Sequence, residues 1–306
     1  MSFKLTILGC SSATPTLYRH SSAQILNVNE RLFLIDCGEG AQMQMRKFKI
    51  KFQRINHIFI SHLHGDHYLG LIGFLFTLHL LGRTKEMHIY SNYELKEIID
   101  LQLKISGTTL LYPLIFHPID STRPEVLYAD DHTTVSAIPL DHRIPTVGFL
   151  FIEKPKERKI KKEVIANMDI PVEEYKKIKG GADYSDKNGK LYKNAELTLE
   201  GPVPASYAYC SDTGYSESYI PLIKGVDLLY HEATFMHDKE KNAREKFHCT
   251  CVDAATIALK ADAKKLMLGH YSARYDDLQP LLEEAKKVFE NTILAEEGMV
   301  YNIGTN

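Results

Sequence analysis

Ser61-His62-Leu63-His64-Gly65-Asp66-His67 places three histidines and one aspartate within six positions. The apolar run Ile55-Asn56-His57-Ile58-Phe59-Ile60 precedes it and reads as a buried strand, so the cluster falls in the loop at that strand's C-terminal end. Open α/β sheets place their sites there. Imidazole and carboxylate are good zinc ligands, and alternating His-x-His side chains can converge on one ion. The Asp-His pair directly behind them can reach a second. A polar, His-rich surface turn is the plain alternative, and the partners found along the rest of the chain argue against it.

Upstream of that stretch, residues 3–8 form a strand candidate followed by the small-residue loop Gly9-Cys10-Ser11-Ser12-Ala13-Thr14-Pro15. Such loops let backbone amides approach a ligand, though most are simple turns. Ala23–Val28 and Leu32–Ile35 read as a hairpin that ends in Asp36-Cys37-Gly38-Glu39-Gly40, a turn opening a helix through Phe48. Downstream, the pattern predicts a helix over Leu69–Leu81, a strand at 87–90, an amphipathic helix over Tyr93–Ile105 and strands at 113–117, Thr133–Leu140 and Val147–Ile152. Further strands are expected at 206–210, Val226–Tyr230 and 265–269. Helices are expected over Val252–Ala261, capped by His248-Cys249-Thr250, and over Asp277–Phe289, the latter with acidic residues in its first turn as the helix dipole prefers.

The 306 residues are 44% hydrophobic, enough to bury a large core as one domain or as two fused α/β halves. A formal net charge of −2 gives no global basic field, so a nucleic-acid partner would have to be held by local patches. Five cysteines without a framework spacing, Cys249-x-Cys251 among them, suggest a reducing compartment. The N-terminus enters a strand with no leader-like pattern, and Leu69–Leu81 is too short and too interrupted to span a bilayer. A soluble cytoplasmic protein is expected.

A recurrence organises the rest. Five strand-like runs end in groups that can ligate or carry protons: His62, His64, Asp66 and His67; then His142; then Asp212; then His231 and Glu232; then His270. Strand ends in an α/β sandwich share one edge, so these side chains can meet. His62, His64 and His142 would hold one metal, Asp66, His67 and His270 a second, and Asp212 would bridge them. Two divalent ions sharing an anionic bridge suit hydrolysis of a phosphoryl or acyl group.

The His-x-His-x-Asp-His motif with the later His, Asp and His resembles the metallo-β-lactamase superfamily. Gly9-Cys-Ser-Ser-Ala-Thr-Pro, Asp36-Cys-Gly-Glu-Gly, Pro139-Leu-Asp-His142, Ser211-Asp212-Thr213, His231-Glu-Ala-Thr234 and Gly269-His270-Tyr-Ser-x-Arg-Tyr275 narrow the likeness to the ribonuclease Z family, short-form tRNA 3′-processing endonucleases. The resemblance covers essentially the whole chain, in order. It implies an α/β fold, a four-layer αβ/βα sandwich, spanning 1–306 as a single domain, with a protruding substrate-binding arm at 153–197. It also implies two Zn2+ ions per subunit, a homodimer, and cleavage of precursor tRNA after the discriminator base, leaving a 3′-hydroxyl. In that reading Asp66 orients or deprotonates the attacking water, His248 protonates the leaving 3′-oxygen, and Glu232 supports His248.

Substrate contacts are expected from Arg19, Arg274, Lys156 and Arg158, with a surface salt-bridge role as the plain alternative for Arg274. The stretch 153–197 could equally be a solvated helix and loop. Its opening Lys154-Pro-Lys-Glu-Arg-Lys-Ile-Lys-Lys162 is basic but lacks the family's Gly-Pro repeats. Pro15-Thr16-Leu17-Tyr18-Arg19-His20 keeps the family's Arg and departs at Leu17 and His20, and Cys249 stands where Ser is usual. The nearest rival function is another hydrolase of the same fold, acting on small phosphodiesters or thioesters. A redox di-iron protein and a non-catalytic RNA-binding relic are further alternatives. The first would favour a carboxylate within the opening cluster, and the second would have lost metal ligands.

Overall fold

Among the described residues, fourteen strands form two seven-stranded sheets. The computed structural model describes residues 3–201 and 203–304. The first sheet takes β1 (Phe3–Gly9), β2 (Ala23–Val28), β3 (Arg31–Cys37), β4 (Ile55–Phe59), β5 (Met87–Ser91) and β6 (Leu114–Pro118). The second takes β7 (Val126–Ala129), β8 (Thr133–Pro139), β9 (Val147–Glu153), β10 (Ser206–Cys210), β11 (Leu228–Glu232), β12 (Leu266–Gly269) and β13 (Thr292–Leu294). Finally β14 (Val300–Asn302) returns to the first sheet beside β1. Antiparallel pairing joins β1, β2 and β3, while β3 to β6 are parallel; the second sheet repeats this, with β10 to β13 parallel.

Both faces of these strands are apolar because each sheet is covered twice. Along β3, Phe33 and Ile35 enter the cluster between the sheets, where they meet Phe59, Phe149, Phe151 and Tyr207. The intervening Leu32 and Leu34 face the other way, onto a second cluster with Ile58 and Ile89. That outer cluster is closed by α1 (Ala41–Lys47), α2 (Leu71–Leu80) and α3 (Glu94–Ile105), through Met45, Phe74, Leu78, Leu95 and Ile99. Two more helices, α4 (Cys251–Lys260) and α5 (Gln279–Lys286), pack on the second sheet. The result is helix, sheet, sheet, helix: a four-layer αβ/βα sandwich.

Several elements differ from expectation. The helix expected over Leu69–Leu81 is found as α2, and a short helix that was not expected, Gly65–Tyr68, precedes it, divided from it at Leu69 and Gly70. A Cβ at Gly70 would lie 2.2 Å from the Gly38 carbonyl oxygen, so the break is where two loops press together. The last helix begins at Gln279 with no acidic residue in its first turn. Asp277 lies outside it and accepts from the Gln279 amide at 2.9 Å. Strands β7, β13 and β14 are short edge or near-edge pieces with little apolar patterning.

Contacts divide the chain into two compact units, Met1–Ile152 with Ala205–Asn306 and Glu153–Pro204. The second holds helices Lys162–Asn167 and Val172–Lys179 and pairs Lys159–Ile160 with Thr198–Leu199. It has a small core of its own, with Ile160, Val164, Ile170, Ile178, Tyr184 and Leu197 buried together. Sparse apolar residues among many lysines hide that core in the sequence.

His57, on β4, stacks on His88 at 4.8 Å and packs against Tyr128 at 4.5 Å. Burial, then the neighbouring His88 and His117, push its pKa down from 6.5 to about 4. The folded chain therefore refuses a proton that the unfolded chain accepts below about pH 6.5. Stability from this group is fully present above that value and lost as pH falls toward 4. Denaturant unfolding of wild type and His57→Phe at pH 7 and pH 5 should show a smaller pH-dependent loss in the variant. Equal losses would assign the acid sensitivity elsewhere.

Candidate metal centre and active site

Three strand ends turn through left-handed backbone to build the site. Asp36 (φ 54°), Asp212 (φ 53°) and His270 (φ 56°) each end or follow a strand, and Ala13 (φ 60°) and Phe247 (φ 56°) flank the same cleft. Left-handed backbone costs a non-glycine residue about 1–3 kcal/mol, so these positions persist only where surrounding contacts over-determine them.

The structure brings the sequence-predicted groups together in two sets. His62 Nε2 and His142 Nε2 lie 3.0 and 3.3 Å from His64 Nδ1, and Asp212 Oδ2 is 3.4 Å from His62 Nε2. In the other set, His67 Nε2 and His270 Nε2 are 3.3 Å apart, and Asp66 Oδ2 lies 3.4 and 3.3 Å from them. Asp212 turns its remaining oxygen to this second set, with Oδ1 2.9 Å from His270 Nε2 and 3.3 Å from His67 Nε2. One carboxylate thus faces both sets, and within each set the potential ligand atoms lie within 4.8 Å of one another.

Donors behind these groups fix their orientation. Asp36 is fully buried and accepts from His67 Nδ1 at 2.6 Å, the Ser61 amide at 2.7 Å, the Ser61 hydroxyl at 2.9 Å and the Tyr209 hydroxyl at 2.6 Å. The Ala13 amide donates to Asp66 Oδ2 at 2.7 Å. His142 Nδ1 meets the Phe247 carbonyl oxygen at 2.9 Å, and the Thr234 hydroxyl lies 3.1 Å from His270 Nδ1. Gly38 fits only because it lacks a side chain, since a Cβ there would lie 2.3 Å from the Asp66 carbonyl oxygen.

The donor set fits divalent cations. Burial opposes a charge on His67, yet Asp66, Asp212 and Asp36 overcome it and hold its pKa well above 6.5. Burial likewise opposes charge on His270, and Asp212 overrides it, lifting its pKa to about 10. Buried carboxylates that hold protons on imidazoles are short of positive charge, which zinc-class ions supply through the same nitrogen and oxygen atoms. Against the same pull of burial, the His67 charge drives Asp66 down, and His270 and His67 do the same for Asp212. His62 is held down to about 4 by burial and by the charge on His67.

His248 stands beside the metal set. Its Nδ1 is 2.8 Å from Glu232 Oε1, which also accepts the Thr213 amide at 2.8 Å; Glu232 Oε2 accepts the Thr234 hydroxyl at 2.7 Å. Burial opposes protonation of His248, but the Glu232 charge prevails and raises its pKa above 6.5. Next to it, the Cys249 thiol donates to the Thr213 carbonyl oxygen at 3.1 Å, a weak bond where serine would give a stronger one.

His231 turns away from the site, because adjacent residues of a strand face opposite sides. Its Nε2 lies 2.8 Å from the Tyr219 hydroxyl in the core. Arg19 donates to the Tyr275 carbonyl oxygen at 2.5 Å, tying the N-terminal loop to the segment after His270. Arg274 donates to the Ser272 hydroxyl and lies 5.0 Å over the Phe235 ring, with no carboxylate partner among the described residues. In the second unit, Lys156 pairs with Glu153 at 2.5 Å, while Arg158 donates to Thr198 Oγ1 at 2.7 Å. Asp36, Ser61, Thr234 and Tyr209 are functional neighbours that no ligand-type or acid–base motif in the sequence marks. Only Asp36, in its strand-end acid-and-glycine turn, carried a local signal.

A family model described as anti-Pycsar protein Apyc1 matches residues 3–109. A ribonuclease Z of Bacteroides fragilis is 48% identical over 98% of this chain and 99% of its own length. One from Porphyromonas gingivalis is 47% identical over 97% and 98%. The crystal structure of human tRNase Z, short form (ELAC1), superposes with a TM-score of 0.73 at 29% identity, covering 99% of this chain and all of that one. The metallo-β-lactamase fold protein YhfI from Bacillus subtilis shares the fold, with a TM-score of 0.69 at 18% identity over 99% of this chain and all of that one.

Replacing Asp36 with Asn removes the acceptor charge behind His67. Metal affinity should fall by roughly 10- to 100-fold, the range for losing such an outer partner. Competition with a chromophoric chelator measures it, and unchanged affinity would show that His67 is oriented by packing alone.

Proposed function

This chain belongs to the ribonuclease Z family and is a tRNA 3′-processing endoribonuclease; we propose that its cleft cuts precursor tRNA just after the discriminator base, leaving a 3′-hydroxyl on the tRNA. The observation that carries this reading is the His248–Glu232 pair beside the doubly faced Asp212. A small-ester hydrolase of the same fold would need the metal ligands but not that pair.

We assign His62, His64 and His142 to one Zn2+ ion, Asp66, His67 and His270 to the other, and Asp212 to both. When bound, the ions would supply positive charge to the phosphate and acidify water. Asp66, steadied by the Ala13 amide, orients the attacking water and takes its proton as oxygen bonds to phosphorus in line. His248 gives Glu232 its Nδ1 and keeps Nε2 for the cleft. Its pKa is raised by the Glu232 charge, which favours the protonated form that hands its proton to the 3′-oxygen as the P–O3′ bond breaks.

Substrate binding rests on weaker support. In the basic run that opens the second unit, Lys156, Arg158 and Lys161 are already engaged within it. Lys154, Lys159 and Lys162 have no such partner among the described residues, and we assign phosphate contacts to them. Arg19 and Arg274 stay assigned to the acceptor end. A homodimer is the proposed assembly, supported by the family and by an apolar groove between Tyr68–Ile72 and Leu95–Gln102 that shares Leu69 with the cleft. No helix among the described residues is long and apolar enough to cross a membrane, and all five cysteines are free and buried, as a reducing cytoplasm would leave them.

Incubation with a 3′-extended precursor tRNA is the primary test. Absence of a cut beside the discriminator base under any divalent metal would defeat the proposed reaction. His248→Ala should retain its metal while turnover drops by roughly two to four orders of magnitude. Loss of metal from that variant would make His248 structural. Combined Lys154→Ala, Lys159→Ala and Lys162→Ala should flatten the dependence of log affinity on log salt by about one unit per lost phosphate contact, with turnover at saturation preserved.

A further inference from the structure

The cleft of about 350 Å3 over the metal set is lined by the carboxylates of Glu39, Asp66 and Asp212, and Arg143 is the one Lys or Arg among its described lining residues. We propose that Arg143 binds the substrate phosphate adjacent to the scissile one, and so fixes which bond of the RNA lies over Asp212. The inference rests on the reaction proposed above and names a contact that reading leaves out.

The support is mechanical as well as electrostatic. Arg143 follows His142 in a loop pinned on both sides. The Asp141 amide donates to Thr213 Oγ1 at 3.2 Å, and the Asp141 carbonyl oxygen accepts the Gly214 amide at 2.7 Å. His142 Nδ1 is held at the Phe247 carbonyl oxygen, and the Pro145 carbonyl oxygen accepts Asn92 Nδ2 at 2.7 Å. The Leu140 amide closes the loop onto the Thr146 carbonyl oxygen at 3.2 Å. This backbone has little freedom, and His142 cannot move without moving it.

The Arg143 side chain, by contrast, is exposed, with no ion pair or hydrogen bond among the described residues. It lines the same cleft as His64. Of the carboxylates lining the cleft, Asp66 and Asp212 are engaged by His67 and His270, and none of the three, Glu39 included, pairs with Arg143. A planar guanidinium with all its donors free matches a phosphate's oxygens, and a rigid mount limits the entropy lost on pairing. The reaction proposed above gives the scissile phosphate to the metal ligands, which leaves Arg143 to a neighbouring phosphate along the strand. The lysines of the second unit, with long single-charge side chains, attract RNA without choosing a register; a cation fixed beside His142 chooses one.

The test combines protein and substrate changes. Precursor tRNAs are made with one neutral methylphosphonate at the linkage 5′ or 3′ to the cut. Arg143→Ala should raise KM for the unmodified precursor by about 10- to 100-fold, the range for a charged hydrogen bond, with smaller change in kcat. Arg143→Lys should fall between. Wild type should lose a similar factor on one of the two modified precursors, and Arg143→Ala should lose little more on that same substrate. Metal content and melting temperature of the variant should match wild type. Losses that multiply at both linkages, an unchanged KM, or a fall in metal content would each overturn the assignment. A wild-type enzyme that leaves the unmodified precursor intact overturns the reaction itself, and Arg143's role with it.

Discussion

A buried carboxylate that accepts four hydrogen bonds holds this structure together at its functional end. Asp36 is the penultimate residue of β3 in the first sheet, and the Tyr209 hydroxyl that reaches it comes from β10 in the second. The Ser61 amide and hydroxyl bring in the loop after β4, and His67 Nδ1 brings in the metal set. An ionised carboxylate in a dry interior is costly unless its lone pairs are filled, and here two oxygens meet four donors. The same bonds that satisfy the charge therefore fix the spacing of the sheets, the path of the His-rich loop and the direction of one imidazole. Any arrangement that relaxes one of these leaves a charge unpaired.

That constraint accounts for the strain nearby. Asp36, Asp212 and His270 lie in left-handed backbone, where a non-glycine residue is disfavoured. Each is locked by partners: Asp36 as above, Asp212 between His62 and His270, and His270 by Thr234 at both its ring and its carbonyl oxygen. A strand that simply ended would carry its last side chain to one face of the sheet. The left-handed turn redirects it over the sheet's edge, which is how residues from both sheets reach one cleft.

The sequence was most informative where chemistry and secondary structure coincide. His62, His64, Asp66 and His67 sit in a local pattern at a strand end, and His142, Asp212 and His270 repeat that placement. Both faces of the sheets were legible in runs such as Leu32–Ile35. The orienting residues were less so. Tyr209 reads as core because its ring is core, and only the hydroxyl matters to Asp36; Thr234 and Ser61 are small polar residues of a kind common in every loop. Glu232 was expected behind His248 and His231 had no assigned role; the strand runs through both, and alternation sends the imidazole to Tyr219 and the carboxylate to His248. The break at Gly70 and the core of the second unit were hidden for a different reason: both depend on contacts between segments distant in sequence.

Charge explains how a chain of net −2 handles a polyanion. The cleft itself is acidic, and its carboxylates raise the pKa of His67 and His270 against the opposing pull of burial. An acidic cleft repels RNA unless cations neutralise it, and the clustered His and Asp side chains are of the kind that could hold such cations. Attraction must then come from outside that set. Global steering is absent, which leaves a few local cations to do the work, and their mounting decides what each contributes. Lysines on exposed backbone raise affinity in a salt-dependent way with little geometric demand. A guanidinium whose backbone is pinned beside a metal-facing histidine contributes position instead, and for an enzyme that must cut one bond in a long chain of similar bonds, position is the scarcer quantity.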